Sequence, residues 1–375
     1  MNFYQGGTMI HISVCIIMKN EEKHIGNCLE ALSRHGFGKK NHNRYGEIVV
    51  VDTGSEDRSV EIAREYTDSI HFFAWINDFS AAKNFAISKA TGDYVLIIDA
   101  DEYLESADME QIQSLLVAHP HSIGMLLRSN YVEEDGIRSI HDDRVERLFS
   151  RRDYHYQYPI HEQVVPIQKE PPEKTASLAC YPIPLHIMHY GYLLPKEDLD
   201  AKARRNNDIL FEEIKKRPED PYLYFQIGQS FMLMRDLASA YEWYKKGLAY
   251  DVNPQLEYVQ MMVIGYGECM LNIGLEKEAL SLASVYDDFS FTPEFVFLMG
   301  QIYLNNNMYM QAYGEFLKCL TMKENRTQGV TSFFSYHNIG VINEILGNTE
   351  GAITFYKKAG DYPRSVERLK ELGAL

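Results

Sequence analysis

Tyr94-Val-Leu-Ile-Ile-Asp99-Ala-Asp101-Glu102 runs directly from an apolar stretch into alternating carboxylates. A short apolar run preceded by turn residues, here Thr91-Gly92-Asp93, reads as a strand buried on both faces. Where helices cover such a sheet, ligands bind beyond the carboxyl ends of the strands. Asp99 and Asp101 therefore fall at the ligand edge. Carboxylates placed together there repel one another unless a cation lies between them. Mn²⁺ or Mg²⁺ suits oxygen ligands and would also bridge a diphosphate. Taken alone, the Asp-x-Asp pattern fits an Asp-rich turn or helix cap better than a metal site.

The flanking sequence repeats this grammar. Ile10 to Met18, Glu47 to Val51, Ile70 to Phe73, Tyr94 to Ile98 and Ile123 to Arg128 read as strands. Glu21 to Arg34, Ser59 to Tyr66, Phe79 to Ala90 and Met109 to His119 carry helical periodicity between them. The alternation predicts a mostly parallel sheet covered by helices. Met9 directly precedes the first strand, so residues 1–8 read as an upstream extension without structure. Residues 131–195 lose the pattern to tyrosines, histidines and prolines, and long irregular segments of this kind usually serve function.

From Lys196 onward the chain reads as helical, and it repeats. Gly228, Gly267, Gly300 and Gly340 are each followed twelve residues later by Ala240, Ala279, Ala312 and Ala352. Tyr244, Ala283, Phe316 and Tyr356 stand four residues further on. This resembles the tetratricopeptide repeat. The glycine spacings of 39, 33 and 40 predict about four helix pairs, two of them with insertions. Asn343 occupies a position that is normally large and apolar. A solenoid of this kind either braces the first domain or binds a peptide or protein on its concave face.

With 37 basic and 53 acidic residues the 375-residue chain carries a net charge of −16, which disfavours a nucleic-acid partner. Residues 1–200 hold 19 basic and 31 acidic side chains, so most of the acidity lies in the first half. Five scattered cysteines with no CxxC pair suggest neither a zinc ribbon nor a disulfide framework. Reduced thiols point to a cytoplasmic protein, and a peripheral position at the inner face of a membrane is compatible with this. The only N-terminal apolar run, Ile12 to Met18, is too short for a transmembrane segment and does not read as a signal peptide.

The Asp99 strand has ordered companions. Ile12-Ser-Val-Cys-Ile-Ile-Met18-Lys-Asn20-Glu21 comes first and Glu47-Ile-Val-Val-Val-Asp52-Thr-Gly-Ser-Glu-Asp57 second. Phe79-Ser-Ala-Ala-Lys83-Asn84-Phe-Ala86 follows, and Arg144-Val-Glu-Arg147-Leu-Phe149, Tyr158-Pro-Ile-His161-Glu162 and His189-Tyr-Gly-Tyr192 come later. Together they resemble a family 2 glycosyltransferase of GT-A fold, of the bacterial type with C-terminal tetratricopeptide repeats. The resemblance implies an α/β GT-A domain over 9–195, a helical linker over 196–220 and an all-α solenoid over 221–375. It also implies a nucleotide-sugar donor, most often a UDP-sugar, and inversion at the anomeric carbon. The acceptor would be a glycan, a lipid-linked saccharide or a peptide.

Carried onto this chain, the resemblance makes Asp52 a partner of the uracil ring and puts Lys83 near the diphosphate. Glu21, Asn84 and Asp99 join the donor site. Asp101 becomes the principal metal ligand, with Asp99 and His189 beside it. Glu162 is the base that takes the acceptor proton, and His161 is its alternative or its orienter. Glu102 supports the loop. Two other readings compete: a repeat scaffold carrying an inactive glycosyltransferase-like domain, and a nucleotidyltransferase, which would release pyrophosphate instead of UDP.

Overall fold

The structure is a computed structural model that describes residues 9–134, 137–167, 179–191, 196–323 and 326–375. The upstream extension over 1–8 and Tyr192 lie outside the described residues. The chain divides into two compact units, 1–199 and 200–375.

In the first unit, β1 (Ile12–Met18), β2 (Ile48–Asp52), β3 (Ile70–Phe72) and β4 (Tyr94–Ile97) alternate with α1 (Ile25–Arg34), α2 (Ser59–Ala63) and α3 (Phe79–Lys89). Next come β5 (Glu102–Ala107), α4 (Met109–Ala118), β6 (Ile123–Glu134), β7 (Ile137–Ser150), β8 (Tyr154–Gln157), β9 (Gln163–Pro166) and β10 (Cys180–His189). An eight-stranded sheet takes the order β3-β2-β1-β4-β7-β6-β10-β5, and β8 pairs with β9 separately. Val14, Ile16, Val50 and Leu96 enter one core with Leu29 and Leu32 of α1 and Leu116 of α4. Cys15, Val49, Val51, Val95 and Ile97 enter a second core with Ala86 and Ile87 of α3 and with Tyr154 and Tyr156 of β8. Burial on both faces explains why these strands are almost wholly apolar.

The sheet departs from the sequence expectation in four places. It is mixed rather than mostly parallel: β1 to β4 pair in parallel, but β7 runs antiparallel to both β4 and β6. The residues from 131, expected to be irregular, continue a long ribbon in which β6 and β7 pair from Gly124↔Leu148 out to Glu134↔Ile137. Cross-strand polar contacts hold part of that ribbon, with Arg128 Nη2 2.6 Å from Asp143 Oδ2 and Ser129 Oγ donating to Asp142 at 2.6 Å. An apolar alternation is therefore missing where the strands are nonetheless paired. β10 carries Pro182 and Pro184 and shifts register between Pro182 and His186, which hides it as a strand. Finally, the acidic turn after β4 feeds β5, which pairs antiparallel with β10 through Glu102↔His189.

The second unit holds most of α5 (Lys196–Lys216), followed by α6 (Pro221–Leu233), α7 (Leu237–Gly247), α8 (Glu257–Asn272) and α9 (Glu276–Ala279). Then come α10 (Tyr286–Phe289), α11 (Pro293–Asn305), α12 (Tyr309–Cys319), α13 (Phe333–Ile345), α14 (Thr349–Lys358) and α15 (Pro363–Glu371). Ala240, Ala279, Ala312 and Ala352 are fully buried. The repeat glycines lie under aromatic rings: a Cβ at Gly300 would come within 2.7 Å of Phe316 and one at Gly340 within 2.6 Å of Tyr356, while Gly228 is pressed against Tyr244 in the same way. The twelve-plus-four spacing is thus a contact between the two helices of one repeat. The second repeat departs from the expected pair, because Ala283 stands where the others have a ring. Its α9 ends at Ala279, a 3-10 stretch follows over Leu280–Val285, and Leu282 with Leu298 covers Gly267. The longer connections at 248–256 and 320–332 account for the 39- and 40-residue spacings. Asn343 is buried and satisfied, donating to Ile339 O and accepting from Asn348 Nδ2, both at 2.8 Å.

Candidate active site

β1, β2 and β4 deliver three loops to one edge of the sheet. Crossovers on opposite sides of β1 make this the switch point at which such sheets bind ligands. The first two loops are laced together by their own polar groups. Asn20 N donates to Ser55 Oγ at 2.9 Å, Asn20 Oδ1 accepts from Glu56 N at 2.8 Å, and Glu21 N donates to Ser59 Oγ at 2.7 Å. Asp52 is 2% exposed and accepts from the N–H groups of Gly54 and Ser55 at 3.1–3.2 Å, so its carboxylate shapes the turn after β2.

At the third loop the structure builds a lattice of ions in which Lys83, Glu102 and Arg147 are buried and the Asp99 side chain is 33% exposed. Lys83, from α3, bridges Asp99 Oδ1 at 3.3 Å and the Glu162 carboxylate. Arg147, from β7, donates to Asp99 Oδ2 at 2.9 Å and to Glu102 Oε1 at 3.3 Å. Glu102 is fully buried, and its other oxygen accepts from Asp99 N at 2.8 Å. Burial would raise Asp99, but Arg147 and Lys83 outweigh it and hold the carboxyl well below the usual range. The same contest lowers Glu162, burial raising it and Lys83 overcoming that rise. Glu102 goes the other way: burial, aided by the charge on Asp99, pushes it up against Arg147 and Arg128.

Asp101 lies next to this lattice and faces a different partner. Its Oδ2 is 3.5 Å from His189 Nε2, and His189 Nδ1 is 2.8 Å from Asn130 Oδ1. An amide oxygen accepts only, so Nδ1 is the donor to Asn130, and Nε2 is the ring nitrogen turned toward Asp101. A Cβ at Gly191 would collide with both Asp101 Oδ2 and His189 Nε2. Glycine leaves a cradle there, and one carboxylate oxygen with one imidazole nitrogen is a donor set that fits Mn²⁺ or Mg²⁺. Among the described residues no group of three or more His, Cys, Asp or Glu side chains is arranged to hold a metal. The expected set of Asp99, Asp101 and His189 is therefore not assembled as a triad. The reason is electrostatic: Lys83 and Arg147 claim Asp99.

Lys83 is a buried bridge, not a solvated helix lysine. Asn84 also faces the protein, its Nδ2 donating to Tyr156 O at 2.8 Å and its Oδ1 accepting from Tyr156 N at 2.9 Å. One turn earlier, Phe79 N donates to Pro159 O at 2.8 Å and Ser80 Oγ donates to Tyr158 O. This side of α3 therefore holds the segment from Tyr156 to Glu162. His161 is exposed in that segment. Tyr158 and His161 have φ of 76° and 50°, left-handed conformations that cost energy for side chains of this size. Sequence reasoning quoted Arg147 without giving it a role and missed Asn130. The signal for Arg147 was partial: it is a charged residue among the apolar Val145, Leu148 and Phe149 of one strand, and the register shift beside it sends Val145 and Phe149 into different cores.

The sheet and its acidic edge define an α/β unit with a candidate ligand edge, and the packed glycine-aromatic helices define a repeat unit. Residues 13–167 match the family model for Glycosyl transferase family 2, and residues 335–360 match that for Tetratricopeptide repeat. The first unit thus carries a family 2 glycosyltransferase domain of GT-A-like fold, and the second carries a tetratricopeptide repeat. A TPR repeat-containing protein of Synechococcus elongatus is 32% identical over 65% of this chain and 58% of its own length. SPbeta prophage-derived glycosyltransferase SunS of Bacillus subtilis is 27% identical over 68% of this chain and 57% of its own. Lipopolysaccharide core biosynthesis glycosyltransferase LpsC of Rhizobium meliloti is 30% identical over 44% of this chain and 62% of its own. The chain spans less than two-thirds of the length of these curated relatives. Among solved structures, MamA aligns over 47% of this chain and 93% of its own at 18% identity and a TM-score of 0.37. Among the described residues no helix is long and apolar enough to cross a membrane.

Proposed function

We propose that the protein is a metal-dependent, inverting glycosyltransferase that moves a sugar from a UDP-sugar to a glycan, lipid-linked saccharide or peptide acceptor. The observation that carries this reading is the meeting of Asp101 and His189, 3.5 Å apart over the bare Cα of Gly191, beside the ion lattice of Asp99, Lys83, Glu162 and Arg147. Asp101 and His189 would hold Mn²⁺ or Mg²⁺, which neutralises charge on a departing diphosphate when bound. Everything else rests on the chain's own groups. Lys83 keeps Glu162 ionised, as a base must be, and α3 fixes the loop that presents it. Glu162 takes the proton of the acceptor nucleophile as the new bond forms to the anomeric carbon and the bond from that carbon to the diphosphate oxygen breaks. Asp99, pinned by Lys83, by Arg147 and by the contact of Glu102 with its N–H, is fixed in place at the edge with its charge offset by the two cations.

This unit is the seat of acidity, with 19 basic against 31 acidic residues over 1–200, yet Lys83 and Arg147 already offset Asp99 and Glu162. The requirement for an added cation narrows accordingly to Asp101. To test the function, the protein is incubated with Mn²⁺ and a panel of nucleotide sugars and release of UDP is followed. Turnover of a UDP-sugar is the expected result. Absence of both UDP release and UDP binding by calorimetry would overturn the proposal, and release of pyrophosphate instead would assign nucleotidyl transfer.

A further inference from the structure

Residues 189–191 all touch Asp101. His189 Nε2 lies 3.5 Å from its Oδ2, Tyr190 N donates to its backbone carbonyl at 3.1 Å, and a Cβ on Gly191 would collide with that Oδ2. The His189 ring is committed to the cradle and Gly191 has no side chain, so anchoring this turn falls to the ring of Tyr190. That ring is held from both neighbouring strands, since β10 lies between β6 and β5 in the sheet. Tyr131 of β6 stacks on it with centroids 5.1 Å and planes 22° apart, and Tyr103 of β5 meets it at 4.7 Å and 35°. Ring pairs at these separations attract. Tyr103 is itself tied to the head of α1, its hydroxyl lying 2.9 Å from His24 Nδ1. Consecutive residues of β6 therefore hold consecutive residues of the neighbouring chain, Asn130 the His189 ring and Tyr131 the Tyr190 ring. All three tyrosines are half-buried, so the pile is not core filling alone.

We infer that Tyr190 is a positioning residue for the Asp101–His189 pair: clamped by Tyr103 and Tyr131, it fixes the turn after β10 against Asp101 and so sets how Oδ2 and Nε2 stand to one another. The inference rests on the proposed function, which makes this pair the seat of Mn²⁺ or Mg²⁺, and adds what holds the pair in shape. Two ligand atoms on separate strands bind a cation well only when neighbours fix them beforehand, because ordering them at the moment of binding costs affinity. Tyr190 itself supplies no ligand atom, its N–H being spent on Asp101. The competing reading makes its ring a platform for the uracil or a sugar. A platform needs a free face, and two rings already lie against this one.

The test measures UDP affinity of the full chain by calorimetry, in Mn²⁺ and in EDTA. In the wild type the metal should strengthen UDP binding by about tenfold or more. No strengthening there overturns the proposed metal site, and the inference with it. In Tyr190→Leu the gain from Mn²⁺ should shrink about tenfold while UDP affinity in EDTA stays at the wild-type value. Tyr190→Phe keeps the ring and should keep the full gain. If Tyr190→Leu does not fold, Tyr131→Leu removes one of the two supporting rings and should shrink the gain about threefold. With the wild-type gain present, a full gain in the folded leucine variant, or an equal loss in Tyr190→Phe, would overturn the positioning role and leave the metal site standing. A drop in UDP affinity by the same factor in EDTA and in Mn²⁺ would overturn it in favour of direct contact with the nucleotide.

Discussion

Arg147 and Tyr244 are both large, both buried, and both keep one polar atom, Nη1 and the hydroxyl, without a partner among the described residues. Their surroundings differ. Around Arg147 the first unit gathers Asp99, Glu102, Lys83 and Glu162, charges whose desolvation is costly and is recovered only by mutual pairing. Around Tyr244 the second unit gathers Gly228, Gly265, Ala240 and Met262, where shape alone decides the fit. A buried ion lattice is a poor way to gain stability and a good way to fix charges in place, so the contrast separates a unit built for chemistry from one built for packing.

The comparison breaks first at Asp101. Asp101→Asn should cut metal-dependent turnover by about a thousandfold with the far-UV circular dichroism unchanged. Turnover close to that of the wild type would make the acidic edge a mere turn. Glu162→Gln should lower kcat by about 10²–10⁴. Because Lys83 holds Glu162 below the ordinary value of 4.5, its ionised form persists as the pH falls to that value. The acid limb of kcat/KM should accordingly lie below pH 4.5 if Glu162 is the base. A limb above pH 4.5 and short of 6.5, since burial lowers the His161 imidazole from its ordinary value, would transfer the role to His161.

In the helical unit, Tyr244→Ala should cost about 3–5 kcal/mol, by analogy with other large buried aromatics, seen as an earlier unfolding transition. The smallest effects are the sharpest, because two tyrosines in the same register should respond with opposite signs. Tyr244→Phe removes a buried hydroxyl that has no partner and should stabilise by about 1 kcal/mol. Tyr356→Phe removes a hydroxyl that donates to Glu344 at 2.8 Å and should destabilise by about 1 kcal/mol. Equal signs would mean that the rings are not held as described.

How far each unit can be read from its sequence follows the same division. The Gly228–Ala240–Tyr244 spacing is local, so the repeat was visible, and only the second repeat, with Ala283 in place of a ring, departs from it. The parallel strands were legible because both their faces are apolar. β6 was read only as far as Arg128, and β7 and β10 were not read as strands, since their pairing relies on cross-strand partners such as Arg128 with Asp143 and tolerates Pro182 and Pro184. Asp99 and Asp101 stood out as carboxylates placed at an edge, and Glu162 through the family resemblance of its His161-Glu162 segment. What no spacing revealed was the assignment of Lys83 and Arg147 to Asp99, because three elements distant in sequence supply that lattice.

The central claim is that the first unit holds a nucleotide-sugar donor at its sheet edge through a cation on Asp101 and His189. Calorimetric titration of UDP with and without Mn²⁺, on the wild type and on Asp101→Asn, tests it most directly. The account predicts saturable binding with Mn²⁺, at least tenfold weaker binding in EDTA, and no effect of Mn²⁺ on the variant. UDP affinity that is the same with and without the metal, or a variant that responds to Mn²⁺ as the wild type does, would contradict it.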